Sequence, residues 1–126
     1  MKAANLSGTW SSKYTYRSGE DGQVLTGEHH VMFKHIRDEL FVGTSVPNAD
    51  KSKLTLRLSY DAENKALTGT WQEVTSPTGY YQGAAFRGAV QFILNTDLTV
   101  AGGRWVGFNS SKTRVNTGEW TLIKQP

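Results

Sequence analysis

The residues best suited to chemistry are concentrated between Trp71 and Gly88, in Trp71-Gln72-Glu73-Val74-Thr75-Ser76-Pro77-Thr78-Gly79-Tyr80-Tyr81-Gln82-Gly83-Ala84-Ala85-Phe86-Arg87-Gly88. Within these eighteen residues stand one acid, one base, two amides, several hydroxyls and four aromatic rings. Small residues at 83–85 and 88 leave room beside the rings. Aromatic faces with a few fixed polar groups suit a planar heterocyclic ligand. The planar fork of an arginine suits a phosphate. The same mixture of large and small side chains also serves packing in a tapering barrel. That packing accounts for the glycines and rings, and less well for Glu73, Gln82, Arg87 and Gln91, which are polar and embedded in strand pattern.

Glu73 is the most informative acid. It follows Leu67, Gly69 and Trp71 at alternate positions, so strand periodicity aims it inward. A carboxylate inside a barrel is costly unless it is paired or accepts hydrogen bonds. Arg87 or Arg104 is the expected partner. The pair would serve either as a structural tie that holds strand register or as a ligand-orienting group, and both readings stay open. Most other acids fall in turns: Glu20, Asp21, Asp38, Asp50, Asp61, Glu63 and Asp97.

Enzymatic constellations are weaker. No serine sits in a Gly-x-Ser-x-Gly elbow, and His29, His30 and His35 fall within seven residues of one another. Along a strand His29 and His35 share a face at roughly 20 Å separation, with His30 on the other face. One metal ion cannot take two of them from this strand alone, so surface or rim histidines are expected. Without cysteine, thiolate nucleophiles, disulfides and cysteine-based zinc sites are excluded.

The elements that position these groups have period two nearly throughout. Leu6, Gly8, Trp10, Ser12, Tyr14 and Tyr16 alternate with polar residues, and Leu54, Leu56, Leu58 and Tyr60 do so more cleanly. Further strands are predicted over Val24 to Ile36, Glu39 to Val46, Lys65 to Thr75, Tyr80 to Leu94, Thr99 to Phe108 and Arg114 to Lys124. Seven turn-like stretches separate them, at 17–22, 37–38, 47–52, 61–64, 76–79, 95–97 and 109–113, rich in Gly, Pro, Asn, Asp and Ser. Only Asp61 to Leu67 has the makings of a helical turn. Eight strands with hairpin-length connections predict an all-β, eight-stranded antiparallel up-and-down β-barrel, with a sandwich as the alternative. Leu6-Ser7-Gly8-Thr9-Trp10 is echoed by Leu67-Thr68-Gly69-Thr70-Trp71, and in part by Gly103-Arg104-Trp105 and Gly118-Glu119-Trp120. We read the echo as barrel geometry, with an indole meeting a glycine at four wall positions.

A chain of 126 residues has room for one domain, expected over 1–126. With 37% apolar and 20% charged residues, the composition is globular rather than disordered. A net charge of +3 favours an anionic partner, but the cations are scattered singly, which argues against a nucleic-acid duplex. No apolar run approaches the ~20 residues of a membrane helix, and no signal-peptide core follows Met1, so a cytoplasmic location is expected.

The opening Leu6-Ser7-Gly8-Thr9-Trp10 is similar to the first strand of avidin- and lipocalin-type barrels. Avidin's late aspartate has no counterpart, so biotin binding is not implied. The stretches 69–81, Arg87-Gly88-Ala89-Val90-Gln91, Gly103-Arg104-Trp105-Val106-Gly107-Phe108 and Val115-Asn116-Thr117-Gly118-Glu119-Trp120 resemble a barrel module found C-terminal to helix-turn-helix domains in actinobacterial regulators. The chain shows no helix-turn-helix, and DNA binding is not carried over. More loosely, Arg104-Trp105-Val106-Gly107 followed by Arg114 and a glycine-containing last strand resembles the β-barrel sensor of two-transmembrane CBASS-type antiphage effectors. That resemblance implies a cyclic dinucleotide ligand, antiviral defence, and membrane tethering in a longer protein.

The expectation is therefore a non-enzymatic ligand-sensing barrel without cofactor or metal. Its ligand-binding residues are expected to be Trp71, Glu73, Thr75, Tyr80, Tyr81, Arg87, Gln91, Arg104, Trp105 and Asn116. Bases would stack on Tyr80, Tyr81 or Trp105, Arg87 or Arg104 would meet phosphate, and Glu73 or Asn116 would read a base edge or ribose hydroxyl. A homo-oligomer is compatible with this reading. The alternatives are the sensory module of a transcription regulator, an isomerase or cyclase using Glu73 as base, and a solidly packed interaction module.

Overall fold

Alternating side chains make strands that are half buried, and eight of them here close on themselves. The computed structural model describes residues 6–17, 23–46, 52–75, 85–108 and 115–126. The strands are β1 (Gly8–Arg17), β2 (Val24–Arg37), β3 (Leu40–Ser45), β4 (Lys53–Asp61), β5 (Ala66–Val74), β6 (Ala85–Leu94), β7 (Val100–Phe108) and β8 (Val115–Lys124). Each pairs antiparallel with the next, and β8 returns to β1, giving a closed meander barrel. No helix occurs among the described residues. Closure leaves no exposed sheet edge, and so the barrel prevails over the sandwich.

The expected strand limits agree with the observed ones to within a residue or two wherever both are described. Tyr80, Tyr81 and Arg114 lie outside the described residues. The stretch after Asp61 is a tight turn rather than the start of a helix. Asp61 Oδ1 accepts from the amides of Glu63 and Asn64 at 3.0 and 3.3 Å, and Lys65 takes a φ of 52° to re-enter the sheet. In a meander, alternate connections share an end. The short turns at 38–39, 62–65 and 95–99 occupy one end, here the turn end. The other end of the barrel, the loop end, is where β1, β3, β5 and β7 finish and β2, β4, β6 and β8 begin.

Inside, apolar side chains fill the barrel. Trp10, Phe33, Phe41, Leu56, Leu58, Phe92, Trp120 and Leu122 are all buried. The rings meet edge to face, Phe92 with Trp120 at 5.6 Å and Trp71 with Trp105 at 5.4 Å. Such pairs add roughly 0.5–1.5 kcal/mol each beyond their area. The packed middle is therefore core.

The Gly-x-Trp echo has a register explanation. On β7 and β8, Trp105 stands opposite Gly118 and Trp120 opposite Gly103, so two antiparallel copies interlock. An indole thus meets the glycine of the neighbouring strand, not its own. A Cβ on Gly118 would lie 2.1 Å from the Thr15 carbonyl oxygen. Because that Cβ is missing, Trp105 reaches across β8 and donates Nε1–H to the same oxygen at 2.9 Å. Trp71 does likewise over Gly88, donating to the Val106 carbonyl at 3.1 Å.

Candidate functional site

Three polar side chains enter the barrel near its loop end. On β5, the alternation of Leu67, Gly69 and Trp71 carries on to Glu73. On β2, His29 shares its face with Val31 and Phe33, and on β1 Tyr14 shares one with Trp10 and Ser12. Their functional atoms converge. Tyr14 donates its hydroxyl hydrogen to Glu73 Oε2 at 2.9 Å. His29 Nε2 lies 3.5 Å from that same oxygen and 3.4 Å from the Tyr14 hydroxyl.

Packing fixes this arrangement. The Tyr14 ring stacks on His29 with planes 7° apart and leans on Trp120 at 5.1 Å. Gly27, opposite Tyr14 on β2, makes space for it: a Cβ there would fall 2.3 Å from the ring. The side chain of His29 is 3% exposed and that of Glu73 18%, so the imidazole is sealed in while the carboxylate is reachable. Oε2 carries both partners, and among the described residues no group donates to Oε1. A carboxylate held this way can accept from a ligand or take a proton from one.

The expected partner of Glu73 was an arginine, and the geometry corrects this. Arg87 stands opposite Gln72, on the outer wall, and Arg104 stands opposite Gln91 and Glu119, also outside. Even-numbered positions of β6 face inward, which turns Arg87 and Gln91 away from Glu73. The histidines need correcting as well. His30 and His35 are exposed, but His29 is buried and belongs to the cluster.

Of the expected site residues, Trp71, Glu73 and Trp105 face inward together. Thr75 shares their parity just beyond β5, half-buried, and Asn116 shares that of Gly118 and Trp120 but is exposed at the loop end. Arg87, Gln91 and Arg104 do not join them, and Gln91 bonds Thr68 on the outside. Tyr80 and Tyr81 fall outside the described residues. Tyr14 and His29 were missed, although both continue strand alternations visible in the sequence.

Among the described residues, no group of three or more His, Asp or Glu is arranged to hold a metal ion. No helix among the described residues is long and apolar enough to cross a membrane. No family model matches the chain, and no curated protein matches it. By architecture the protein is an eight-stranded antiparallel meander barrel with a polar cluster at one mouth.

Proposed function

We propose that this chain is a non-enzymatic receptor for a small planar ligand of nucleotide type, bound at the loop end of the barrel. The observation that carries the reading is the Glu73 carboxylate, turned inward, anchored through Oε2 and left with acceptor capacity at Oε1. A purine edge presenting N–H donors suits such an acceptor. The half-buried Tyr16 supplies aromatic surface close by, with Trp71 and Trp105 buried in the core. Because apolar side chains fill the rest of the lumen, the ligand seats at the mouth and not in the middle. A cyclic dinucleotide second messenger in antiphage signalling is the first ligand to try, given the resemblance of the last strands. The sensory module of a transcription regulator, with another small ligand, uses the same mouth.

Thermal shift against a panel of cyclic mono- and dinucleotides tests this. A member present at 100 times its dissociation constant stabilises the fold by about 2.7 kcal/mol. Glu73→Gln should abolish that shift. Absence of any shift, for every member near a concentration of ~1 mM, where only affinities weaker than about −4 kcal/mol escape notice, overturns the proposal.

One observation favours a second reading. Tyr14, His29 and Glu73 meet at a single carboxylate oxygen, an arrangement that can relay a proton. An isomerase or cyclase with Glu73 as base would turn its ligand over, and Glu73→Gln would stop turnover while binding persists.

A further inference from the structure

The outer surface of the wall carries a feature that the mouth does not use. Strands β4 to β7 form a groove of about 800 Å³ bordered by Thr55, Arg57, Thr70, Gln72, Arg87 and Phe108. Arg57 pairs in register with Thr70 and Arg87 with Gln72, so the two arginines stand on the strands flanking β5, one outward position apart. Strand spacing then sets their Cα atoms roughly 12 Å apart, within reach of two extended side chains closing on one tetrahedral anion. The Thr70 hydroxyl and Gln72 amide on β5 lie between them, with the Thr55 hydroxyl beside Gln72 on β4, and all three can donate to oxygen.

Two other cations of the outer wall have carboxylates beside them. Lys13 lies 3.9 Å from Glu28, and Arg104 stands opposite Glu119. Arg57 faces Val42 and Thr70 across its neighbours, and Arg87 faces Gln72. Among the described residues no carboxylate lines the groove or pairs with either arginine. Phe108, 52% exposed, adds an open aromatic face at the margin. Two guanidinium groups with uncharged donors between them match a phosphoryl group, and an exposed ring beside them matches a planar substituent.

We propose that this groove is a binding site for a small organophosphate bearing a planar ring, its phosphoryl group held between Arg57 and Arg87 and its ring on Phe108. Trp71 and Phe86 border the groove from the inner side, but Gln72 and Glu73 point to opposite faces of β5, so the polar groups of the groove are separate from those of the mouth.

Amide-resolved NMR of the whole chain, titrated with phenyl phosphate and separately with inorganic phosphate, tests it. Saturable shifts are expected at Arg57, Thr70, Gln72 and Arg87, with phenyl phosphate the tighter ligand. Arg57→Gln and Arg87→Gln should each weaken binding about tenfold, the worth of one lost charge-assisted bond. Lys13→Gln and Glu73→Gln should leave it unchanged. Shifts that never saturate, that appear equally around Lys13, or that survive both arginine changes overturn the site. Loss of binding in Glu73→Gln overturns its independence from the mouth, and equal affinity for the two probes overturns the role of the ring.

Discussion

The hydroxyl of Tyr14 on β1 donates to the carboxylate of Glu73 on β5, a bond of 2.9 Å between strands that face each other across the barrel. The order β1 to β8 puts β5 half-way round from β1, so this contact crosses the lumen rather than following the sheet. It ties the loop end together above a packed core, with His29 buried and Tyr14 and Glu73 each half-buried.

Replacing Tyr14 by Phe removes that donor and leaves Glu73 with His29 alone. Losing one hydrogen-bond partner of a largely buried carboxylate costs about 1–3 kcal/mol. Urea unfolding of the single changes and of Tyr14→Phe with Glu73→Leu measures the coupling. If Tyr14→Phe cost the same whether or not Glu73 is present, the cross-lumen bond would contribute nothing.

Two glycines on neighbouring strands should respond oppositely to the same substitution. Gly118→Ala would bring its Cβ to 2.1 Å from the Thr15 carbonyl and 2.6 Å from Trp105 Nε1. Overpacking against backbone of this kind costs about 1–3 kcal/mol or more. Gly102 faces outward, with nothing within 4 Å of a Cβ, so Gly102→Ala should be neutral or gain roughly 0.5–1 kcal/mol. Equal melting temperatures for the two variants would contradict the close approach at Gly118.

Ser12 is a polar residue buried for a reason. Its Oγ accepts from Trp120 Nε1 at 2.8 Å, inside the core. Ser12→Ala should cost about 1–3 kcal/mol by stranding the indole N–H, and much less once Trp120→Phe has removed that donor. A double-mutant cycle by denaturant titration reads the difference, and strict additivity would refute the bond.

Asp61 gives the fold an acid-sensitive turn. Hydrogen bonds from the Asn64 side chain, then from the Asn64 and Glu63 amides, hold its carboxyl below the ordinary 3.8. A depressed folded-state pKa contributes stability that is present above 3.8 and lost as pH falls through the lowered value. The melting temperature of the native chain should therefore exceed that of Asp61→Ala at neutral pH. The gap should close on acidification below 3.8. A gap that widened there would reverse the sign of this linkage.

Much of the fold was legible in residue order. Leu54, Leu56, Leu58 and Tyr60 announce a half-buried strand because their alternation is local and uninterrupted. Arg37-Asp38 and Asn95-Thr96-Asp97 announce turns for the same local reason. The site was legible only in part. Glu73 could be aimed inward by counting from Trp71, whereas Arg87 could not, since the parity of β6 depends on how it re-enters after residues 75–84.

Periodicity and turn chemistry alone dictate eight antiparallel strands and an inward Glu73, because both follow from the two-residue repeat of a pleated chain. What Glu73 meets was decided by closure of the barrel. Bringing β1 and β2 around to face β5 selects Tyr14 and His29 over two arginines that the register sends outside. Contacts between residues 59 positions apart rest on the shear and circumference of the whole barrel, quantities that no local stretch of sequence contains.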